Sequence, residues 1–183
     1  MKASRMARSF THLLVGILMV IVLMSGCSMA PVLRVFINCR NDRLQRLPVA
    51  VARIEDMRIP GPAGEIPMRI YTPREGSSLP ILIWLHGGGW TFGNLNCFDA
   101  MCTYLAHDAG CVVVSVDYRL APRHKFPAAV DDSYAAALWI AQNAASINGD
   151  PARIAIGGGS AGGNLAAVVC LMARDRGGPY LIF

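Results

Sequence analysis

The segment Arg153-Ile-Ala-Ile-Gly157-Gly158-Gly159-Ser160-Ala161-Gly162-Gly163-Asn164 constrains this chain more than any other. A short apolar run ends in glycines, a serine stands among them, and the helix-forming residues 165–174 follow. The local order is therefore strand, sharp turn, helix. Residues 158–162 read Gly-x-Ser-x-Gly, the spacing that lifts a serine hydroxyl onto the turn of a nucleophile elbow. Gly158 and Gly162 have to be small there, because strand and helix approach closely. The same glycines allow a rival reading: Gly157, Gly159 and Gly162 spell Gly-x-Gly-x-x-Gly after a strand, the pattern of a dinucleotide-binding turn.

The N-terminus reads as a targeting segment. Lys2, Arg5 and Arg8 precede the almost wholly apolar residues 13–24. A basic stretch, a short apolar core and small residues after it describe an export signal. As a helix the apolar core spans roughly 18 Å, against the ~30 Å of a hydrocarbon layer. A signal peptide over residues 1–26 is the expectation, with an uncleaved anchor as its alternative. Cleavage would remove Lys2, Arg5 and Arg8 from 17 basic residues set against 12 acidic ones, taking the net charge from +5 to +2. The basic balance is mostly targeting signal and makes no case for nucleic acid. No pair of cysteines has Cys-x-x-Cys spacing, so neither zinc nor any other metal is expected, and no disulfide can be nominated. Cys111 and Cys170 read as buried thiols.

With hydrophobic residues at 54% and charged residues at 16%, 183 residues suffice for one domain with a sizeable core. Residues 49–59 and 65–72 are apolar-rich runs separated by Pro60-Gly61-Pro62-Ala63-Gly64, which suggests two antiparallel strands. Residues 79–85, 111–117 and 153–158 read as strands buried on both faces. Helical stretches lie between and after them: 97–109 with Gly110 as a stop, an Ala-rich run from Pro127 to about 147, and the helix after Ser160. Strands alternating with helices predict an α/β fold with a mostly parallel sheet.

Serine attacks poorly until a base takes its proton, and acyl transfer also needs donors aimed at the developing oxyanion. His86-Gly87-Gly88-Gly89-Trp90, at the end of the first of the three buried strands, meets the second need. Its glycines leave backbone N–H groups unshielded. The nicotinamide reading needs a further strand ending in an acidic residue about 20 positions on, and the phosphate-loop reading needs Gly-Lys-Ser/Thr. Neither is present, and no cofactor is expected.

Here a family resemblance becomes specific. His86-Gly-Gly-Gly-Trp90, Asp117-Tyr-Arg-Leu-Ala-Pro122, Phe126-Pro-Ala-Ala-Val-Asp-Asp132, Asp150-Pro-Ala-Arg-Ile154 and Ser160-Ala-Gly-Gly-Asn-Leu165 resemble the hormone-sensitive-lipase-like branch of the α/β-hydrolases, also called α/β hydrolase fold-3 or bacterial esterase family IV. The resemblance covers about residues 50–179. It implies an α/β-hydrolase fold, here its N-terminal part with an antiparallel start and an incomplete sheet. It implies Ser160 as nucleophile, and Gly88, Gly89 and the Ala161 amide as oxyanion hole, with Gly87 shaping the loop. His86 would brace that loop, Gly158 and Gly162 would support the elbow, Asp117 and Arg119 would be structural, organising the loop after their strand, and Asp131 and Asp132 would sit near a helix start. Leu23-Met-Ser-Gly-Cys27 in turn resembles a bacterial lipobox, which implies a lipidated Cys27 and a membrane-anchored, exported protein.

The chain departs from the pattern at three places. Gly159 stands where the family carries aspartate, residues 27–48 form only a tether or reduced cap, and the residues after Ser160 hold one acid, Asp175, and no histidine. Asp175 lies ~22 Å along the helix axis from Ser160, beyond hydrogen-bond reach. The expectation is a serine carboxylesterase-like hydrolase of short- to medium-chain acyl esters whose partial α/β-hydrolase domain, residues 49–183, is C-terminally truncated and inactive alone. A non-catalytic ligand-binding protein of the same fold, or an inert gene remnant, is the alternative.

Overall fold

Five strands form one sheet, and their order across it differs from their order in sequence. The computed structural model describes residues 50–76 and 78–182. The expected signal peptide, Cys27 and the 27–48 tether lie outside the described residues. Strand β1 (Arg53–Gly61) pairs antiparallel with β2 (Gly64–Thr72) through the tight turn at Pro62-Ala63. Strand β2 in turn lies antiparallel to β4 (Val112–Val116), and β4, β3 (Leu79–Leu85) and β5 (Gly149–Gly158) run parallel, giving the order β1-β2-β4-β3-β5. The antiparallel start and the parallel continuation are as the sequence suggests.

Three helices flank this sheet: α1 (Asp99–Ala109), preceded by a 3₁₀ turn at Leu95–Phe98; α2 (Ala128–Gln142); and α3 (Ala161–Arg176). Gly110, at φ 61°, ends α1 in the left-handed conformation that glycine reaches without a Cβ penalty. Helix α2 turns Ala129, Ser133, Ala136, Ala137 and Ile140 inward, and α3 turns Leu165, Ala166, Val169 and Ala173 inward, each at helical spacing. Both pack on one face of the sheet, against Ile59, Met68, Ile70, Ile81, Ile83, Val114 and Ile154. The other face carries a smaller cluster, in which Cys102 and Ala106 of α1 cover Tyr71, Cys111 and Val113.

This unequal cover corrects the expectation of three strands buried on both faces. Strand β4 is, with all five residues inaccessible. Strand β3 alternates, since α1 lies over β2 and β4 and leaves Leu82 and Trp84 half-buried. Strand β5 has only Gly149 and Ile154 buried, because it stands at the sheet's edge. It also begins earlier than expected. Its pairing jumps from Leu79↔Gly149 to Ile81↔Ile154, so Asp150-Pro-Ala-Arg153 bulges out of the ladder. The bulge is tied down by Asp150, which accepts from the Ala152 amide at 2.9 Å and from Arg153 Nε at 2.7 Å. Beyond α3 the Ile182 amide donates to the Ile154 carbonyl at 2.8 Å, along the outer edge of β5. Cys111 is buried as expected, whereas Cys170 is only partly so, because it lies on the flank of α3.

Candidate active site

Neighbouring strands β3 and β5 send their chains to opposite faces of the sheet, β3 toward α1 and β5 into α3. Such a switch in strand order leaves a crevice beyond the carboxyl ends of the strands, where ligands of α/β sheets are bound. Both of the chemistry-bearing motifs end up there. Leu85 pairs with Gly158, so the His86-Gly-Gly-Gly turn and the Ser160 turn emerge side by side.

The elbow is built by close approach. A Cβ on Gly158 or on Gly162 would lie far inside van der Waals contact with the Leu85 carbonyl oxygen. Ser160 itself is exposed and adopts φ 51° and ψ −115°, a conformation that costs a non-glycine residue about 1–3 kcal/mol. The hydrogen bonds from the Gly162 amide to the Gly159 carbonyl (2.8 Å) and from the Asn164 amide to the Ser160 carbonyl (3.1 Å) hold it. Gly159 differs from its neighbours, for a Cβ there would meet nothing within 4 Å.

Across the crevice, Gly88 (φ 130°) and Gly89 (φ 58°) take conformations closed to most side chains. The Gly88 carbonyl accepts from the amides of Thr91 (3.1 Å) and Phe92 (2.9 Å), which curls the loop back on itself. Trp90 follows at φ 56°, half out in solvent, with its carbonyl accepting the Ala121 amide at 2.9 Å. The amides of Gly88, Gly89 and Ala161 form no hydrogen bond among the described residues. A pocket of about 310 Å³ lies between loop and elbow, lined by Gly87, Gly88, Phe92, Gly93, Cys97, Phe98, Gly159 and Ser160. Gly89 and Ala161 stand beside it without lining it. Apart from the serine hydroxyl its walls are apolar side chains and glycine backbone.

His86 is completely buried beneath the loop. Its Nδ1 donates to the Gly87 carbonyl at 2.9 Å, and its ring stacks on Tyr118 at 4.2 Å and on Phe98 at 5.9 Å. Tyr118 Oη donates to the His86 carbonyl at 2.5 Å. Burial pushes the imidazole below its ordinary pKa, so it is neutral near pH 7, and its Nε2 has no hydrogen-bond partner, with Asp117 Oδ1 3.9 Å away. It sits under the turn with its ring committed to Gly87, Tyr118 and Phe98.

Asp132, on α2, is buried and receives Arg119 three times: from its amide at 3.0 Å, from Nε at 2.8 Å and from Nη2 at 2.8 Å. That fork fastens the loop after β4 to α2. Asp131 lies in the first turn of α2. His107 pairs with exposed Asp108 (2.9 Å), and Asp175 pairs with Arg174 at the far end of α3. Among the described residues no histidine or carboxylate hydrogen-bonds to Ser160, and no group of three or more His, Cys, Asp or Glu could hold a metal ion.

Three pocket walls, Phe92, Cys97 and Phe98, escape a reading from the sequence. They follow the glycine run without any spacing of their own, and only the curl of residues 88–92 and the 3₁₀ turn bring them to Ser160. Arg69 is the other omission. It lies on β2, far from either motif, and joins Asp56, Asn96 and Asp99.

Residues 82–183 match a family model described as alpha/beta hydrolase fold. The chain is 53% identical over 131 residues to the carboxylic ester hydrolase LipN of Mycobacterium tuberculosis, a match covering 69% of this chain and 35% of that protein. It is 51% identical over 120 residues to the carboxylesterase NlhH of the same species, covering 65% of this chain and 38% of that protein. Among solved structures, an esterase of Pyrobaculum calidifontis superposes with a TM-score of 0.81 at 46% identity, over 83% of this chain and 50% of that one. The chain thus spans half or less of the length of these relatives.

Proposed function

This chain belongs to the alpha/beta hydrolase fold family, and we propose that it carries the nucleophile and oxyanion half of a serine carboxylesterase of the hormone-sensitive-lipase-like branch, acting on short- to medium-chain acyl esters. One observation carries the reading. At the switch point between β3 and β5, a strained serine and a glycine loop with unengaged amides border one small apolar pocket. In the proposed reaction Ser160 Oγ bonds to the acyl carbon, the carbonyl oxygen becomes an oxyanion, and the ester C–O bond then breaks to release the alcohol. The amides of Gly88, Gly89 and Ala161 would receive the oxyanion, with Gly87 shaping the loop and His86 bracing it from beneath. The N-terminus of α3 adds its positive end to the same spot.

The serine proton must pass to a base, and within residues 1–183 we assign none. Without its base a triad serine keeps only the ~10³–10⁴-fold acceleration over water that binding and the oxyanion hole provide. Residues 1–183 are therefore expected to hydrolyse p-nitrophenyl acetate no faster than their Ser160→Ala variant. A chimera joined after Pro179 to the corresponding C-terminal half of LipN should hydrolyse p-nitrophenyl butyrate, and lose that activity with Ser160→Ala. A folded chimera without Ser160-dependent hydrolysis overturns the esterase reading and favours a ligand-binding protein of the same fold.

Outside the described residues, we propose that 1–26 are an export signal, that Cys27 is lipidated and that 27–48 tether the domain to a membrane surface. Among the described residues no helix is long and apolar enough to cross a membrane. A membrane-fraction protein whose first residue is a diacylglyceryl-modified Cys27, seen by mass spectrometry, is the expected outcome, and an intact Met1 terminus overturns it.

A further inference from the structure

The wall of the Ser160 pocket is held from a distance. Cys97 and Phe98 belong to a short segment that leaves the glycine loop at Gly93, makes one 3₁₀ turn and enters α1 at Asp99. Such a turn has little to keep it in place by itself. Its internal bonds include those from the Cys97 amide to the Asn94 side chain (3.0 Å) and carbonyl (3.2 Å) and from the Asp99 amide to the Asn96 carbonyl. Behind it lies an open cleft of about 560 Å³, bordered by Asp56, Arg69, Asn94, Asn96 and Asp117, so close packing does not support it from that side.

A guanidinium spans the gap instead. Arg69 Nη1 donates to Asn96 Oδ1 and to Asp99 Oδ1, both at 3.0 Å, one on each side of the Cys97-Phe98 pair. Its other edge makes a two-point bond with Asp56 on β1, from Nε to Oδ1 (2.5 Å) and from Nη2 to Oδ2 (2.9 Å). Tyr71 Oη donates to Asp99 Oδ1 at 2.9 Å and completes the attachment. A planar fork fixed by one carboxylate points its remaining N–H groups in set directions, which a lysine ammonium would not do.

We infer that Arg69 is a positioning residue of the acyl pocket: by holding Asn96 and Asp99 to the hydrogen-bonded β1–β2 pair, it sets where Cys97 and Phe98 stand relative to Ser160. The inference rests on the esterase reading for its purpose, but its geometry and its test do not need catalysis. Cys97 is itself the reporter. It is buried in the segment, whereas Cys102 and Cys111 are buried in the core beneath α1.

The test is the rate at which each thiol of the folded chain is alkylated by iodoacetamide, read by mass spectrometry. In Arg69→Ala, Cys97 should react about ten-fold faster than in the wild type, through local opening, while Cys102 and Cys111 remain protected. Asn96→Ala, which leaves the Asp56 and Asp99 bonds in place, should raise Cys97 reactivity as well. Arg69→Lys should fall between wild type and Arg69→Ala. An unchanged Cys97 rate in Asn96→Ala and Arg69→Ala overturns the inference. So does a parallel rise of all three thiols, which would reduce Arg69 to a general stabiliser. Should Arg69→Ala fail to fold, the Asn96→Ala rate decides alone. Methyl butyrate should slow Cys97 alkylation in the wild type and lose that effect in Arg69→Ala. Absence of protection in the wild type counts against acyl binding, and so against the esterase reading, while the thiol rates still judge Arg69.

Discussion

His86 shows how one buried side chain can hold a loop without entering the chemistry above it. Its ring is sealed between Tyr118 and Phe98, and its proton belongs to the Gly87 carbonyl. Burial lowers its pKa below the 6.5 of an exposed histidine. The unfolded chain therefore takes up this proton first as pH falls, so the contribution of His86 to folding stability is complete above about pH 6.5 and declines beneath it, by at most about 1.4 kcal/mol per pH unit. Urea titrations between pH 7.5 and 5 should show that decline, and His86→Gln should flatten it. A decline of equal slope in the variant would assign it to other groups. Gln also tests the brace, since its amide can still donate to Gly87 but cannot stack.

The elbow makes a sharper forecast, because its glycines are not equivalent. Gly158→Ala should lower stability by about 2 kcal/mol or more, since the added methyl strikes backbone that cannot move aside. Gly159→Ala should raise stability by about 0.4–1 kcal/mol, because the methyl meets only open space and removes freedom from the unfolded chain. Urea midpoints of the two variants check this. Equal losses would mean that the turn tolerates no side chain at all. At this scale much is legible in the sequence. Apolar runs mark β3, β4 and β5, Gly110 marks the end of α1, and glycines flanking Ser160 mark the turn. What the runs cannot tell is which strand stands at the edge, for Val112–Val116 and the apolar end of β5 look alike in sequence. Burial depends on pairing order, which is set by contacts far apart along the chain. Arg69 was illegible for the same reason: a lone arginine on an amphipathic strand reads as solvated until the fold brings Asn96 and Asp99 to it.

For the molecule as a whole, the spacing between the two turns of the site is fixed by the sheet rather than by either loop. Leu85 opposite Gly158 sets it, and four consecutive pairings behind that, from Ile81↔Ile154 to Trp84↔Gly157, keep it. The bulge at Asp150–Arg153 gains a meaning from this. It acts as a length buffer, a slack loop upstream of the ladder that takes up extra or missing residues before they reach the elbow. An alanine inserted between Pro151 and Ala152 should leave the fold and the placement of Ser160 intact, with the urea midpoint little changed. The same alanine between Ile154 and Ala155 has no slack to enter. It would turn either Ile154 or Ile156 out of the core and move the serine along by one residue, because side chains alternate between faces with a period of two. Equal tolerance of both insertions, measured by urea midpoint, would refute the buffer. If it holds, lineages that carry this site can vary the approach to β5 freely while the distance from attacking oxygen to oxyanion donors stays constant, as a repeat of the sheet itself.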